Sequence, residues 1–273
     1  MGTSRQQNPK KTRIQDDGRP RIWVGYGKMV RLHRDRAGLT QQELADAVGY
    51  SCEQVASIEQ GRRPAKSAFT DAAETVLKAA GTLAVLQDDV DLAKLPAFFQ
   101  DFAKFELEAV SRYDFEPLLI PGLLQTESYA EALFTTHCPP LSDEMIEQHV
   151  EARLGRQRLL TRTPMVETCF IIGEAALTTV VGNREVMRAQ LQHLLKQSQM
   201  RNVEIQVMPS NSAFHPGHNG PMVLLETLEH RRVGYIESQD VGFVITDAST
   251  VSSFGLRYGK LRTQALNAVS LPV

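Results

Sequence analysis

The sequence predicts an all-α N-terminal domain of about five helices over residues 23–95, followed by an α+β C-terminal domain over residues 96–273. Three observations predict this division. Between Thr40 and Arg63, helix caps, turn glycines and apolar positions fall in step twice over, which marks two short helices joined by a tight turn. Beyond Pro96 aromatic residues crowd together, and over the last hundred residues short apolar runs alternate with helical ones. The charge is also uneven: residues 1–66 hold 13 Lys or Arg against 7 Asp or Glu, a net of +6, and the remainder holds 17 against 25, a net of −8. A hydrophobic content of 42% is enough for two cores in 273 residues.

Residues 1–22 are polar and basic, with Lys10, Lys11, Arg13, Arg19 and Arg21, and read as a flexible tail; an arm that touches phosphate or the minor groove is the sharper alternative. A first helix carries Tyr26, Val30, His33 and Ala37 in one register and closes at Gly38 and Leu39. Thr40 is an N-cap with Glu43 three residues on, the spacing of a capping box. Leu44, Ala45 and Val48 form the apolar stripe of this second helix, and Gly49 supplies the left-handed position that stops it. Ser51 caps a third helix that turns Val55 and Ile58 inward and ends at Gly61, after which Arg62 and Arg63 place two positive charges on the exit turn. Two short helices, a turn containing glycine and a polar outer face on the second match the helix-turn-helix, whose second helix enters the DNA major groove. After Pro64, Phe69, Ala73, Val76 and Leu77 share a face, Gly81 separates two further helices, and the domain closes near Leu95. Asp88, Asp89 and Asp91 read as a solvated face.

From Pro96 the character changes. Phe98, Phe99, Phe102, Phe105, Leu107 and Val110 read as one apolar helix running through FFQDFAKFELEAVSRY, either core or in part a dimer or partner surface. Pro117, Pro121 and Gly122 then place Leu118, Leu119 and Ile120 in an extended, buried segment. Thr126 caps the next helix. VEARLGRQRLLTR is amphipathic, and its Arg153, Arg156, Arg158 and Arg162 are expected to pair with acidic neighbours. Strands are expected over 166–172, 203–208, 222–226, 233–236 and 243–245, with helices over 184–197 and 251–268.

The T-Q-x-E-L-A and S-x-x-x-V-x-x-I-E-x-G runs resemble the Cro/CI-type repressors, the xenobiotic-response-element family, over residues 24–66. The resemblance implies that Gln41 lies against a phosphate, that Ser51, Cys52, Glu53, Gln54 and Ser57 face the groove, and that Arg34 and Glu59 form an internal structural ion pair. Arg62 and Arg63 would add phosphate contacts. Three residues depart from the pattern. His33 stands where Leu is usual and reads as a core histidine with a hydrogen-bond partner, or as a pH switch. Glu53 brings negative charge toward DNA, either at the rim or as an acceptor for cytosine N4. Ser57 replaces the Arg or Gln common there. Cys52 reads as a small groove-facing side chain rather than a redox sensor. From about residue 100 onward, E-P-L-L-I-P-G-L-L-Q-T-E-S-Y-A, V-E-A-R-L-x-R-Q, G-E-A-A-L and H-P-G-x-x-G-P-M-V-L-L-E look like the C-terminal domain of the WhiJ-like, antitoxin-like regulators of filamentous actinobacteria. Together the two resemblances imply a transcriptional regulator, with activity set through the C-terminal domain by a small partner protein encoded nearby. An antitoxin-like binder of that partner and a small-molecule-sensing repressor are the alternatives. A homodimer on a palindromic operator also follows from physics, since one such module reads only a few base pairs.

Other chemistry finds little support. Cys52, Cys138 and Cys169 are widely spaced and form no C-x-x-C pair, which favours reduced thiols and gives no zinc signature. No apolar run approaches the roughly 18 residues of a membrane helix, and the N-terminus lacks a signal-peptide core, so a cytoplasmic, nucleoid-associated protein is expected. There is no G-x-S-x-G, no H-E-x-x-H and no phosphate loop; Gly25 and Gly27 form only a lone G-x-G. No enzymatic activity, metal or cofactor is expected. His215 and His218, three apart across a Pro-Gly turn, have no third ligand in sequence; they read as a loop held by turn residues, or as part of a partner or effector loop. Glu167, Glu174 and Glu237 read as ordinary charged positions.

Overall fold

The computed structural model describes residues 19–267 and divides into two compact units, residues 1–91 and 92–273. Most of the basic tail expected over residues 1–22, and Ala268 at the end of the expected last helix, lie outside the described residues. Among its described residues unit 1 is all-α, with five α-helices in order: α1 Arg21–Ala37, α2 Gln41–Val48, α3 Cys52–Glu59, α4 Ser67–Leu77 and α5 Gln87–Leu92. Its core is Tyr26, Val30, Leu44, Ala45, Val55, Ile58, Phe69 and Ala73, all buried. Inside it Tyr26 Oη meets Thr70 Oγ1 at 2.5 Å, Thr70 Oγ1 donates to Gln87 Oε1 and Gln87 Nε2 donates to Ala65 O, so each polar group taken from water finds a partner. The break after α4 falls earlier than Gly81: Lys78 is left-handed, and Glu74 accepts backbone N–H bonds from Gly81, Leu83 and Ala84, tying the turn down. Val76 is only half-buried.

Unit 2 is α+β. Its elements are α6 Ala97–Leu107, β1 Ala109–Glu116, α7 Glu127–Thr135, α8 Asp143–Arg156, β2 Glu167–Gly173, α9 Glu174–Thr178, α10 Arg184–Gln197, β3 Val203–Met208, β4 Met222–Thr227, β5 Arg232–Ser238, β6 Val241–Ile245, α11 Ala248–Gln264 and β7 Leu266–Asn267. The strands form one sheet in the order β6-β5-β4-β1-β2-β3-β7, with β1, β2 and β3 parallel and the other neighbours antiparallel. One face carries Phe170, Ile172, Val223, Leu225, Val233 and Tyr235, packed with Phe99 and Phe102 of α6, Tyr129 of α7 and Leu194 of α10. The other face carries Phe115, Cys169, Ile171, Met222 and Leu224 and is covered by Val251, Phe254, Tyr258 and Leu261 of α11.

Three expectations for unit 2 need correction. The helix read through FFQDFAKFELEAVSRY stops at Leu107, and its second half is β1, the strand at the centre of the sheet. Of the three residues expected to be buried after Pro117, Ile120 is buried, and Leu118 and Leu119 are exposed. Of the four arginines after Val150, Arg156 alone meets a carboxylate among the described residues, that of Glu106. Arg153 donates to Gln125 Oε1, Arg158 to a backbone carbonyl, and Arg162 to Leu107 O and Ala109 O.

Candidate nucleic-acid interface

The interface is built from the caps outward. Thr40 Oγ1 accepts the N–H of Glu43 (3.2 Å), and Glu43 Oε2 accepts the N–H of Thr40 (2.7 Å), a closed capping box that starts α2; that Thr40 N–H and the Thr40 hydroxyl, which donates to the same oxygen (2.8 Å), hold the Glu43 carboxyl below its ordinary range. Gly49 is left-handed at φ +75° and ends the helix. A second box starts α3: Ser51 Oγ accepts the N–H of Gln54 (3.1 Å) and Gln54 Oε1 accepts the N–H of Ser51 (2.9 Å). Local sequence alone therefore fixes both helix starts.

Packing then fixes their pose. A Cβ on Gly27 of α1 would lie 2.2 Å from Ile58 O, and one on Gly61 would lie 2.6 Å from Val24 Cα, so two glycines let α1 and the end of α3 meet backbone to backbone. This is the structural role of the Gly27 in the lone G-x-G. Arg34 clamps the same contact with Nε to Glu59 Oε1 (2.5 Å) and Nη2 to Glu59 Oε2 (3.0 Å), while its Nη1 reaches Leu39 O and Asp35 Oδ1 (both 2.8 Å). The Glu59 hydrogen bond raises the Arg34 pKa against the cost of burial, so the guanidinium stays charged. Gln41 Nε2 also donates to Glu59 Oε2 (2.7 Å), which joins the start of α2 to the end of α3.

The residues expected to touch DNA separate into three groups. Glu53 and Gln54 are exposed on α3, Ser51 is exposed at its start, Cys52 is half-buried beside them, and Arg62 and Arg63 are exposed on the exit turn. Gln41 is half-buried and already holds Glu59. Ser57, expected to face the groove, is buried at 8% exposure, and its carbonyl accepts the N–H groups of Arg62 and Arg63. Ser57 thus shapes the turn that presents the two arginines. A small side chain suits that enclosed position better than Arg or Gln would. His33 is half-buried and meets Thr82 Oγ1 at 2.8 Å; it has the expected hydrogen-bond partner but sits at the edge of the core. Sequence reasoning missed Arg19, whose Nη1 donates to Gln60 O (2.6 Å) just past α3. Its position within a polar run gave no signal of that contact.

In unit 2, His215 is buried and His218 exposed, in the turn between β3 and β4. His215 Nδ1 accepts the N–H of Gly217 (3.1 Å), and Phe115 packs so closely that a Cβ on Gly217 would lie 2.4 Å from its ring. The histidines hold the turn, and burial followed by the neighbouring His218 lowers the His215 pKa. Among the described residues no group of three or more His, Cys, Asp or Glu is placed to hold a metal ion, and no helix is long and apolar enough to cross a membrane.

Two family profiles match the chain: a helix-turn-helix domain over residues 26–90, and a domain of unknown function, DUF5753, over residues 99–270. No curated protein matches it. Two crystal structures of the clp gene regulator ClgR from Corynebacterium glutamicum resemble part of it. One is 25% identical with a TM-score of 0.23, covering 26% of this chain and 90% of that one. The other is 27% identical with a TM-score of 0.21, covering 28% and 90%. At those TM-scores the likeness supports no inference about the rest of the chain.

Proposed function

The chain belongs to the family of the domain of unknown function DUF5753, joined here to a helix-turn-helix domain that makes it a DNA-binding transcriptional regulator, and from that premise we propose that it reads a palindromic operator as a homodimer. The observation that carries the reading is the α2–α3 pair: both helices are independently capped, the clamp Arg34–Glu59–Gln41 holds them to α1, and the exposed side of α3 leads into Arg62 and Arg63. In this reading Ser51, Cys52, Glu53 and Gln54 meet base edges, while Arg62 and Arg63 neutralise phosphates. Gln41 and Ser57 act by positioning those groups.

Gln54 sharpens the proposal. Bidentate pairing with adenine takes both the oxygen and the nitrogen of a Gln amide, but here the oxygen caps α3. Gln54 therefore reads with its Nε2 alone, or gives up a cap contact worth about 1 kcal/mol to read with both.

The test is titration of the protein with its own upstream DNA and with scrambled DNA at two salt concentrations. Selective, salt-dependent binding is expected. Arg62→Ala should weaken binding to every sequence and reduce the salt slope by about 0.9, whereas Gln54→Ala should cost about 1 to 3 kcal/mol at one base position. If both variants lose affinity uniformly across sequences, the direct-readout assignment falls.

Control by a small partner protein, acting through unit 2, belongs to the same proposal. It is supported by the edge strand β6, on which Val241 and Phe243 are 48% and 59% exposed. Co-purification with the product of a neighbouring gene, lost on Phe243→Glu, is the expected result.

A further inference from the structure

The sheet face beneath α6 and α8 buries a run of charge. Alternation along β1 brings Arg112, Asp114 and Glu116 to one face. Arg112 donates twice to Asp114 (2.7 and 2.8 Å) and also to Glu106 of α6, and Arg156 of α8 donates twice more to Glu106 (both 2.8 Å). Arg156 also lies 4.1 Å over the Phe99 ring. These four charged groups are mutually satisfied.

Glu116, the next in the run, is not. It is recessed, its carboxylate has no hydrogen-bond or ion-pair partner among the described residues, and its oxygens still meet solvent. Continuing the β1–β4–β5 register by one row places Glu237 on the same face two strands away, about 10 Å from Glu116 by the usual strand spacing. Glu237 is exposed, at the mouth of the recess, where Tyr235 Oη donates to its Oε2 (2.8 Å). Arg153 of α8 gives one N–H to Gln125 (2.8 Å) and lies 5.0 Å from the Phe134 ring centre, with its other N–H groups open. At the closed end Arg112 and Arg156, with Arg162 also within reach of Glu106, offset Glu106 and Asp114, whereas at the open end ionised Glu116 and Glu237 face the guanidinium of Arg153. One negative charge is left over, at the end that solvent reaches.

We propose that this recess is a binding site for a small organic monocation, whose ammonium group sits between Glu116 and Glu237 while a hydroxyl or carbonyl on the same molecule accepts from Arg153. A cation neutralises the surplus charge, whereas an anion would meet two carboxylates. The open donors of Arg153 favour an amine that carries an acceptor over a bare alkylammonium. Glu116 also supplies a signature. Burial, then Asp114 and Glu237, raise it to about 8, against Arg112 and Arg153; Tyr129 of α7 senses the same charge, and Glu106 and Arg156 complete the surroundings. A bound cation favours ionised Glu116, so binding near neutrality expels a proton.

The experiment is calorimetric titration of the full chain, without DNA, with 2-aminoethanol, ethylene glycol and glycolate as cationic, neutral and anionic probes of similar size. Buffers of differing ionisation enthalpy count the protons. The expected result is binding of 2-aminoethanol alone, with release of most of one proton at about pH 7, diminishing toward about pH 8.5. Glu116→Gln should weaken it tenfold or more and abolish the release, and Glu237→Gln should weaken it and leave a smaller release, because burial and Asp114 still raise Glu116, with circular dichroism unchanged in both. Failure of 2-aminoethanol to bind, equal binding of glycolate or ethylene glycol, or a proton release that survives Glu116→Gln overturns the proposal. With no DNA present, the outcome is independent of operator reading.

Discussion

Both units tie distant elements together with a buried guanidinium, and they do it differently. In unit 1, Arg34 meets one buried carboxylate, Glu59, and fills its remaining donors with Asp35 and a backbone carbonyl. In unit 2, Arg112 stands between two buried carboxylates, Glu106 and Asp114, and a second guanidinium, Arg156, shares one of them. The first is a clamp that closes on itself. The second is a chain of charge with an open end at Glu116. Buried charge therefore serves position in unit 1, and in unit 2 it also leaves chemistry available to a ligand.

The largest effect expected to break this comparison is Arg112→Met. It strands buried Asp114 and takes from Glu106 one of its two guanidiniums, and should cost about 3 to 5 kcal/mol. Trp23, the single tryptophan, lies buried in unit 1 with Nε1 on Val90 O, so its fluorescence follows unit 1. Loss should appear in the tyrosine near-ultraviolet circular dichroism while the Trp23 transition stays in place. Gly27→Ala inverts the pattern. Its Cβ would collide with Ile58 O, and overpacking of this kind costs about 1 to 3 kcal/mol; the Trp23 transition should move instead. Ser51→Ala, which removes the α3 cap, should cost about 1 kcal/mol in that same transition.

Glu116→Gln should have the smallest effect at about pH 6, where the native carboxyl is still largely protonated and Gln matches its shape. Its sign follows from linkage. Between the ordinary value of 4.5 and about 8 the folded state holds a proton that the unfolded state has lost, so native stability falls as pH rises through that window. The variant should flatten the fall and become the more stable protein above about pH 8. Denaturant midpoints measured across this range decide it. Equal slopes for the two proteins would count against a recessed, unpaired Glu116.

The two units were also unequally legible. The signals in unit 1 are local: Thr40 with Glu43, Ser51 with the amide three residues on, Gly49 after the stripe. Caps and left-handed glycines are encoded within a few residues of where they act. The Arg34–Glu59 pair came from family resemblance and appears as a bidentate contact. β1 was missed for the opposite reason. A strand whose buried face carries Arg112 and Asp114 shows no apolar alternation of its own, so it reads as the continuation of the aromatic helix before it, and the groups that satisfy it come from α6 and α8. Periodicity likewise could not show that Phe105 and Val110 fall on either side of a helix end. Nor could it bring together Glu116, Arg153 and Glu237, whose proximity is set by sheet register and the packing of α8.

The order of the strands bears on synthesis. Every member of the closed charge chain, from Glu106 to Arg156, leaves the ribosome before β2, whereas β4, which pairs with the other edge of β1, arrives with residue 222. A nascent chain can thus neutralise its most costly charges while six of the seven strands are still unmade, with unit 1 already emerged. The two-residue β7, which covers the edge of β3, comes last. Until then that edge stays unpaired, a template for illicit strand pairing, so aggregation of stalled chains should peak for arrests between β3 and β7.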